Sequence, residues 1–200
     1  MRTVVIGSGS WGTALAQVLQ DNHQEVMVYG VAENEVNDIN ENHKNSKYFG
    51  DVELNPELKA TTDIECVKGA DIVLLAVPTI AIDPICHQIN DLLEKKTIII
   101  NVSKGFHPET NERMSQVIRR CIDENKLSSV VSLIGPSHAE EVVIRLLTTI
   151  DAISLKNEDA LTVQNLFSNQ YLRIYTGNDE IARLNRSFNQ MAQQLAKQEE

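Results

Sequence analysis

Val4-Val5-Ile6-Gly7-Ser8-Gly9-Ser10-Trp11-Gly12-Thr13-Ala14 decides how the rest of the chain is read. The short β-branched run predicts a strand, the Gly-x-Gly-x-x-Gly predicts a tight turn, and the Ala/Leu-rich pattern through Leu19 predicts a helix. Each glycine meets a separate steric demand. Gly7 permits the turn out of the strand, Gly9 leaves room for backbone to approach a pyrophosphate, and Gly12 lets the helix lie close to the sheet. The first helical turn carries N–H groups without intrahelical partners, which suit phosphate oxygens. Alone, the glycine pattern is weak evidence for a ligand. A second strand at Glu25–Tyr29 closes a βαβ unit of the expected length, ~30 residues, and gives the pattern its context. A glycine-rich turn without a ligand is the competing reading.

Two hundred residues suit one large domain, or one domain and a fragment. With 42% hydrophobic and 23% charged residues, the composition is that of an ordinary globular protein. A net charge of −10 with no basic stripe argues against a nucleic-acid partner, though it leaves room for a local basic pocket. Cys66, Cys86 and Cys121 are odd in number, widely spaced and without a CxxC, which argues against a disulfide framework or a zinc site; no metal is expected. No apolar run approaches ~18 residues and no basic-then-apolar leader opens the chain, so a cytoplasmic protein without a membrane span is expected.

Further along, Val36, Ile39 and Asn40 carry a helical pattern. An acidic residue often ends the second strand of such folds and grips the ribose. Glu33 stands slightly late for that role and also reads as an ordinary charge at a helix start; no Arg is placed for a 2′-phosphate, so cofactor choice leans only slightly to NAD. Residues 60–63 predict a short strand and 64–69 one or two helical turns. Asp71-Ile-Val-Leu-Leu-Ala-Val-Pro78 reads as a strand buried on both faces, with Pro78 and Thr79 bordering a cofactor or simply stopping the strand. A helix over 80–93 follows, then a buried strand over 97–102 that ends in Ser103-Lys104-Gly105. Lys104 there points toward the crevice or is solvated. A helix is predicted over 109–121 and a strand over 130–134. In Gly135-Pro-Ser-His-Ala-Glu-Glu141, Gly135 and Ser137 suit a turn offering donors to an anion, with Ser137 also a helix cap; His138 is a base by type, or structural. Strands at 152–155 and 172–175 flank a helix at 158–167. Seven or eight strands alternating with helices make a doubly wound, mostly parallel α/β domain over residues 1–176.

Gly7-Ser-Gly-Ser-Trp-Gly-Thr-Ala14, Asn45-Ser-Lys-Tyr48, Leu75-Ala-Val-Pro78, Val102-Ser-Lys-Gly105 and Gly135-Pro-Ser-His-Ala-Glu-Glu141 stand in order and spacing that resemble bacterial NAD(P)-dependent glycerol-3-phosphate dehydrogenase, as far as Tyr175-Thr176. The resemblance implies a Rossmann-like domain binding NAD or NADP. It also implies interconversion of sn-glycerol 3-phosphate and dihydroxyacetone phosphate, which supplies glycerophospholipid synthesis. It implies cofactor contacts at Ser10, Trp11, Tyr48 and Ala139, substrate contacts at Gly135 and Ser137, and both at Lys104. The adenosine-side Arg or His common in the family is replaced by Val31 and Ala32.

After Thr176 the resemblance stops. The family continues into a glycine-rich helix bearing a proton-accepting lysine and then an all-helical second domain. Here residues 177–200 depart, as the start of a second domain that is missing or replaced, and the lysine position falls at Gln190. An amide has no basic site near neutral pH. Ile181, Leu184, Phe188, Met191 and Leu195 form an a/d seam resembling the second helix of HAMP signalling modules, or simply an amphipathic helix packing on its own domain. Three hypotheses follow: the dinucleotide-binding domain of the dehydrogenase, with poor turnover; a non-catalytic nucleotide-binding module whose tail helix makes a homodimer; and a related dehydrogenase with another substrate.

Overall fold

The computed structural model describes residues 1–176; the expected tail helix, Gln190 and the a/d seam lie outside the described residues. In chain order the elements are β1 (Arg2–Ile6), α1 (Ser10–Asp21), β2 (Glu25–Tyr29), α2 (Glu33–Asn37) and α3 (Ser46–Phe49), with a π turn (Asp38–Asn42) between the last two. Then come β3 (Lys59–Thr61), a 3-10 turn (Ile64–Val67), β4 (Ile72–Leu75), α4 (Thr79–Leu92), β5 (Thr97–Asn101) and α5 (Met114–Cys121). The described chain closes with β6 (Leu127–Ile134), α6 (Ala139–Val143), β7 (Thr148–Ser154), α7 (Asn157–Phe167) and β8 (Leu172–Thr176).

All eight strands share one sheet in the order β3-β2-β1-β4-β5-β6-β7-β8. Every neighbouring pair is parallel except β6 with β7, which is antiparallel. The doubly wound, mostly parallel sheet expected from the sequence is therefore the observed fold. One face is covered by α1, α6 and α7 over a core that includes Val5, Leu15, Leu74, Val131, Ile150, Phe167 and Ile174. The other is covered by α4, α5 and the 3-10 turn over Val4, Ile6, Val73, Leu75, Ile82, Ile99 and Val117. Apolar residues on successive positions of β4 and β5 are what burial on both faces requires.

Three expectations are corrected. The helix expected over 109–121 starts only at Met114. His107 N donates to Glu112 O (2.8 Å), and Phe106 pairs with Arg113 across an isolated bridge, so 107–113 is a closed turn. Arg113 is the N-cap, and its amide donates to Gln116 Oε1 (3.1 Å). Ser137 does not cap the following helix: the N-cap is His138, and Ser137 Oγ instead faces Gly135 O at 3.4 Å. Strands β6 and β7 also begin earlier than the apolar runs suggested. The three cysteines are free thiols. Among the described residues, no helix is long and apolar enough to cross a membrane.

Candidate functional site

The sheet order reverses between β1 and β4, so the chain leaves their carboxyl ends in opposite directions and opens a crevice there. Gly7 makes the first turn of that crevice. Its φ of +116° suits glycine, and a Cβ there would stand 2.4 Å from Ala76 O. A Cβ at Gly12 would fall 1.9 Å from Gly7 O, so α1 packs on the loop only because Gly12 has none. Gly9 differs. Its φ is an ordinary −70°, and a Cβ there would meet only Tyr48 Oη, at 4.0 Å. Packing therefore dictates Gly7 and Gly12, while nothing in the packing of the described residues dictates Gly9.

Gly9 is also the N-cap of α1, with no side chain capping the helix and no acidic residue in its first turn. The amides of the first turn consequently have no intrahelical acceptor, and the helix dipole adds positive potential at the same point. The loop is held from behind. Asn45, 1% exposed, donates from Nδ2 to Ser8 O (2.7 Å) and Thr13 Oγ1 (2.8 Å). Ser8 Oγ donates to Glu35 Oε2 (2.6 Å), and Lys47 Nζ reaches Glu35 Oε1 (2.6 Å). Burial alone would raise the Glu35 carboxyl, but Lys47 and Ser8 outweigh it and hold the group below its ordinary value. Lys47 also lies 5.1 Å from the centroid of the Tyr48 ring.

Two hollows meet over Gly9. The first, about 410 Å³, is walled by Gly7, Ser8, Tyr29, Val31, Ala32, Glu35, Lys47, Tyr48, Val77 and Pro78, among others. The second, about 320 Å³, runs past Ser10, Trp11, Tyr48, Pro78 and Ser103 to Lys104. Lys104 Nζ lies 5.9 Å from the Trp11 ring centroid, and Ser103 Oγ donates to Val77 O (2.6 Å), tying together the chain ends beyond β4 and β5. Trp11 and Lys104 also border a narrow pocket lined by Val102, Gly135 and Ser137. Gly135 has a packing reason of its own, since a Cβ would sit 2.8 Å from Ile150 Cγ2.

Of the residues singled out from sequence, Gly7, Gly9, Ser10, Trp11, Tyr48, Pro78 and Lys104 thus share the two hollows, and Gly135 and Ser137 adjoin them. Gly12 and Ala139 do not line these spaces: Gly12 packs on the loop, and the Ala139 side chain is buried in the core. Glu33 is exposed at the start of α2, whereas Glu35, two residues on, forms part of the wall. Sequence reasoning missed Glu35, Asn45 and Ser103. Asn45 lay inside a quoted motif; Glu35 left no signal, because its burial depends on Lys47, twelve residues away.

A family model described as NAD-dependent glycerol-3-phosphate dehydrogenase N-terminus matches residues 2–160. The chain is 46% identical over 181 residues to a glycerol-3-phosphate dehydrogenase [NAD(P)+] of Listeria innocua, covering 90% of this chain and 54% of that protein. It is 42% identical to the protein of the same description from Streptococcus uberis, with the same two coverages. Among solved structures, glycerol-3-phosphate dehydrogenase from Coxiella burnetii superposes with a TM-score of 0.80 at 26% identity, over 90% of this chain and 55% of that one. The chain thus spans about half the length of the curated relatives it matches. A HAMP domain model matches residues 144–197, of which 144–176 fold here as β7, α7 and β8 of the sheet.

Proposed function

Because this chain belongs to the family of the NAD-dependent glycerol-3-phosphate dehydrogenase N-terminus, we propose that it is the dinucleotide-binding part of a dehydrogenase that interconverts glycerol 3-phosphate and dihydroxyacetone phosphate. The observation that carries the reading is the contrast among the three glycines. A Cβ at Gly9 would project into the space over the open end of α1, where phosphate oxygens could take the uncapped amides. When bound, NAD or NADP supplies the hydride acceptor or donor. Gly9, Ser10 and Trp11 hold the pyrophosphate side, Val31 and Ala32 leave an apolar seat for the adenosine, and Pro78 and Tyr48 wall the middle. Lys104, exposed between Trp11 and Ser137, attracts the substrate phosphate despite the net charge of −10, and Gly135 and Ser137 complete that end. Residues 1–176 act as the nucleotide-binding unit. Gln190, at the family's lysine position, cannot accept the hydroxyl proton, so turnover is low even where binding is intact.

Calorimetry on the full chain with NADH and NADPH, followed by glycerol 3-phosphate and by glycerol with cofactor present, tests this reading. Saturable heat with a dinucleotide, and then with the phosphorylated triol alone, is expected. No heat from either dinucleotide on folded protein would overturn it. The HAMP match motivates a second reading, a non-catalytic module that dimerises through residues 177–200. Sedimentation with and without that segment separates the two, because an unchanged monomer in both removes the second.

A further inference from the structure

Away from the cleft, α4 and α5 bring together three side chains of different chemistry. Asp83 and His87 stand one turn apart on α4, and Cys121 is the last residue of α5. A carboxylate oxygen, a ring nitrogen and the thiol sulfur from these residues all lie within 4.8 Å of one another. Asp83 Oδ1 and His87 Nε2 are 3.3 Å apart. A tetrahedral ion with bonds of about 2.0–2.3 Å holds its donors roughly 3.3–3.6 Å from each other, so small rotamer changes close the set. Cys121 is 4% exposed and fixed in the core, whereas the His87 side chain is 62% exposed, which leaves one side of the cluster to solvent.

Arg120 stands against a cation until the charges around it are counted. Its Nη2 lies 2.5 Å from Asp83 Oδ2, its Nη1 donates to Cys121 Sγ (3.3 Å), and its Nε donates to Glu112 Oε2 (3.1 Å). Two carboxylates against one guanidinium leave one negative charge, and the thiolate that forms from the Cys121 thiol when the metal binds makes it two, which a divalent ion neutralises. Arg120 also occupies Oδ2 and leaves Oδ1 turned toward His87, the orienting task of a group just outside a coordination sphere.

We propose that Asp83, His87 and Cys121 form a site for a divalent transition-metal ion of the zinc type, with water as the fourth ligand. Sulfur, imidazole and carboxylate donors in a four-coordinate set select that class over calcium or magnesium. On binding, the S–H bond breaks, a metal–sulfur bond forms, and the proton passes to solvent. The ion clamps α4 to α5 and so stiffens the helix whose N-cap, Pro78, and first turn, at Ala81, wall the cleft. The wide spacing of the cysteines that argued against a zinc site says nothing about a cysteine that meets its partners only through helix packing.

The test is cobalt(II) titration of the chelator-treated full chain. One equivalent should produce a thiolate-to-cobalt charge-transfer band in the near ultraviolet together with the visible bands of a tetrahedral ion, and zinc should displace it. Cys121→Ser should abolish the charge-transfer band. His87→Ala, a change at an exposed side chain, should weaken binding by more than the ~10–100-fold that loss of an outer partner costs, while circular dichroism stays unchanged. Absence of the band in the parent chain, or its persistence in Cys121→Ser, or unaltered affinity in His87→Ala, would overturn the proposal.

Discussion

Among the described residues, strands β1, β4 and β5 are covered on both faces, whereas β7 and β8 are covered on one, and the two sets of sequences differ accordingly. Every residue of β4 and β5 is buried. In β7 and β8 the buried residues alternate with exposed or half-buried ones, and Ile153 is 54% exposed on the face opposite α7. The first set turns its carboxyl ends into the cleft and holds the glycine loop. The second reaches the cleft only at its border, where Ile150 of β7 lines the narrow pocket beside Gly135 and Ser137. A side chain's cost on removal should therefore depend on which half carries it, even when the residue type is the same.

Ile99→Ala, in a position with no exposure, should cost about 2–5 kcal/mol in chemical denaturation. A loss under about 1 kcal/mol would show that burial on both faces matters less than the contrast requires.

Next in size is the joint between the halves. Asp21, at the end of α1, accepts from Arg145 Nε (2.8 Å), Arg145 Nη2 (3.1 Å), Asn55 Nδ2 (3.0 Å) and Tyr171 Oη (2.7 Å). Burial alone would raise its carboxyl; Arg145, Asn55 and Tyr171 outweigh burial and hold it below the ordinary 3.8. A depressed folded value means the contribution is complete above the unfolded value and is lost as pH falls through the folded one. Asp21→Asn should thus cost roughly 1–3 kcal/mol at pH 7, and the difference from the parent should shrink below about pH 4. Arg145 holds its position at a φ of +62°, so Arg145→Gly should lose less than Arg145→Ala by about 1 kcal/mol. Equal losses would remove backbone strain from the account.

Glu35→Gln works inside the cleft half alone. It frees Lys47 from its carboxylate partner at the end proposed for the adenosine, and the affinity ratio should move toward NADPH by about tenfold, ~1.4 kcal/mol. An unchanged ratio would place the 2′-position elsewhere. Smallest of all, Ile153→Ala should stay within about 0.5 kcal/mol of the parent; a core-sized loss would mean that this face is covered in solution.

The same division sets how far the sequence could be read. Strands buried on both faces announce themselves as unbroken apolar runs, so β4, β5 and the loop after β1 were legible with little context. Alternating strands carry a weaker signal, and β6 and β7 were read too short because Leu127, Ser128, Ser129, Thr148 and Thr149 are not an apolar run. The late start of α5 comes from a turn closed between His107 and Glu112 with Asn111 in the left-handed region (φ +56°), which the apolar spacing of Met114, Val117 and Ile118 does not report. The buried roles of Glu35 and Asn45 were invisible for a deeper reason, although Asn45 itself stood in a quoted motif. A buried carboxylate or amide is defined by partners brought in by the fold, and Ser8, Thr13 and Lys47 reach them only once the loop is made.

Trp11 is the chain's single tryptophan and lies against the hollow over Gly9, so its fluorescence gives the most direct test of the central claim. NADH titrated into the full chain should quench Trp11 saturably, and Gly9→Val should weaken that response at least tenfold while leaving the melting temperature within about 2 °C of the parent. A parent chain that shows no saturable quenching, or a Gly9→Val chain that binds as the parent does, would contradict the claim that the open end of α1 receives a dinucleotide's phosphates.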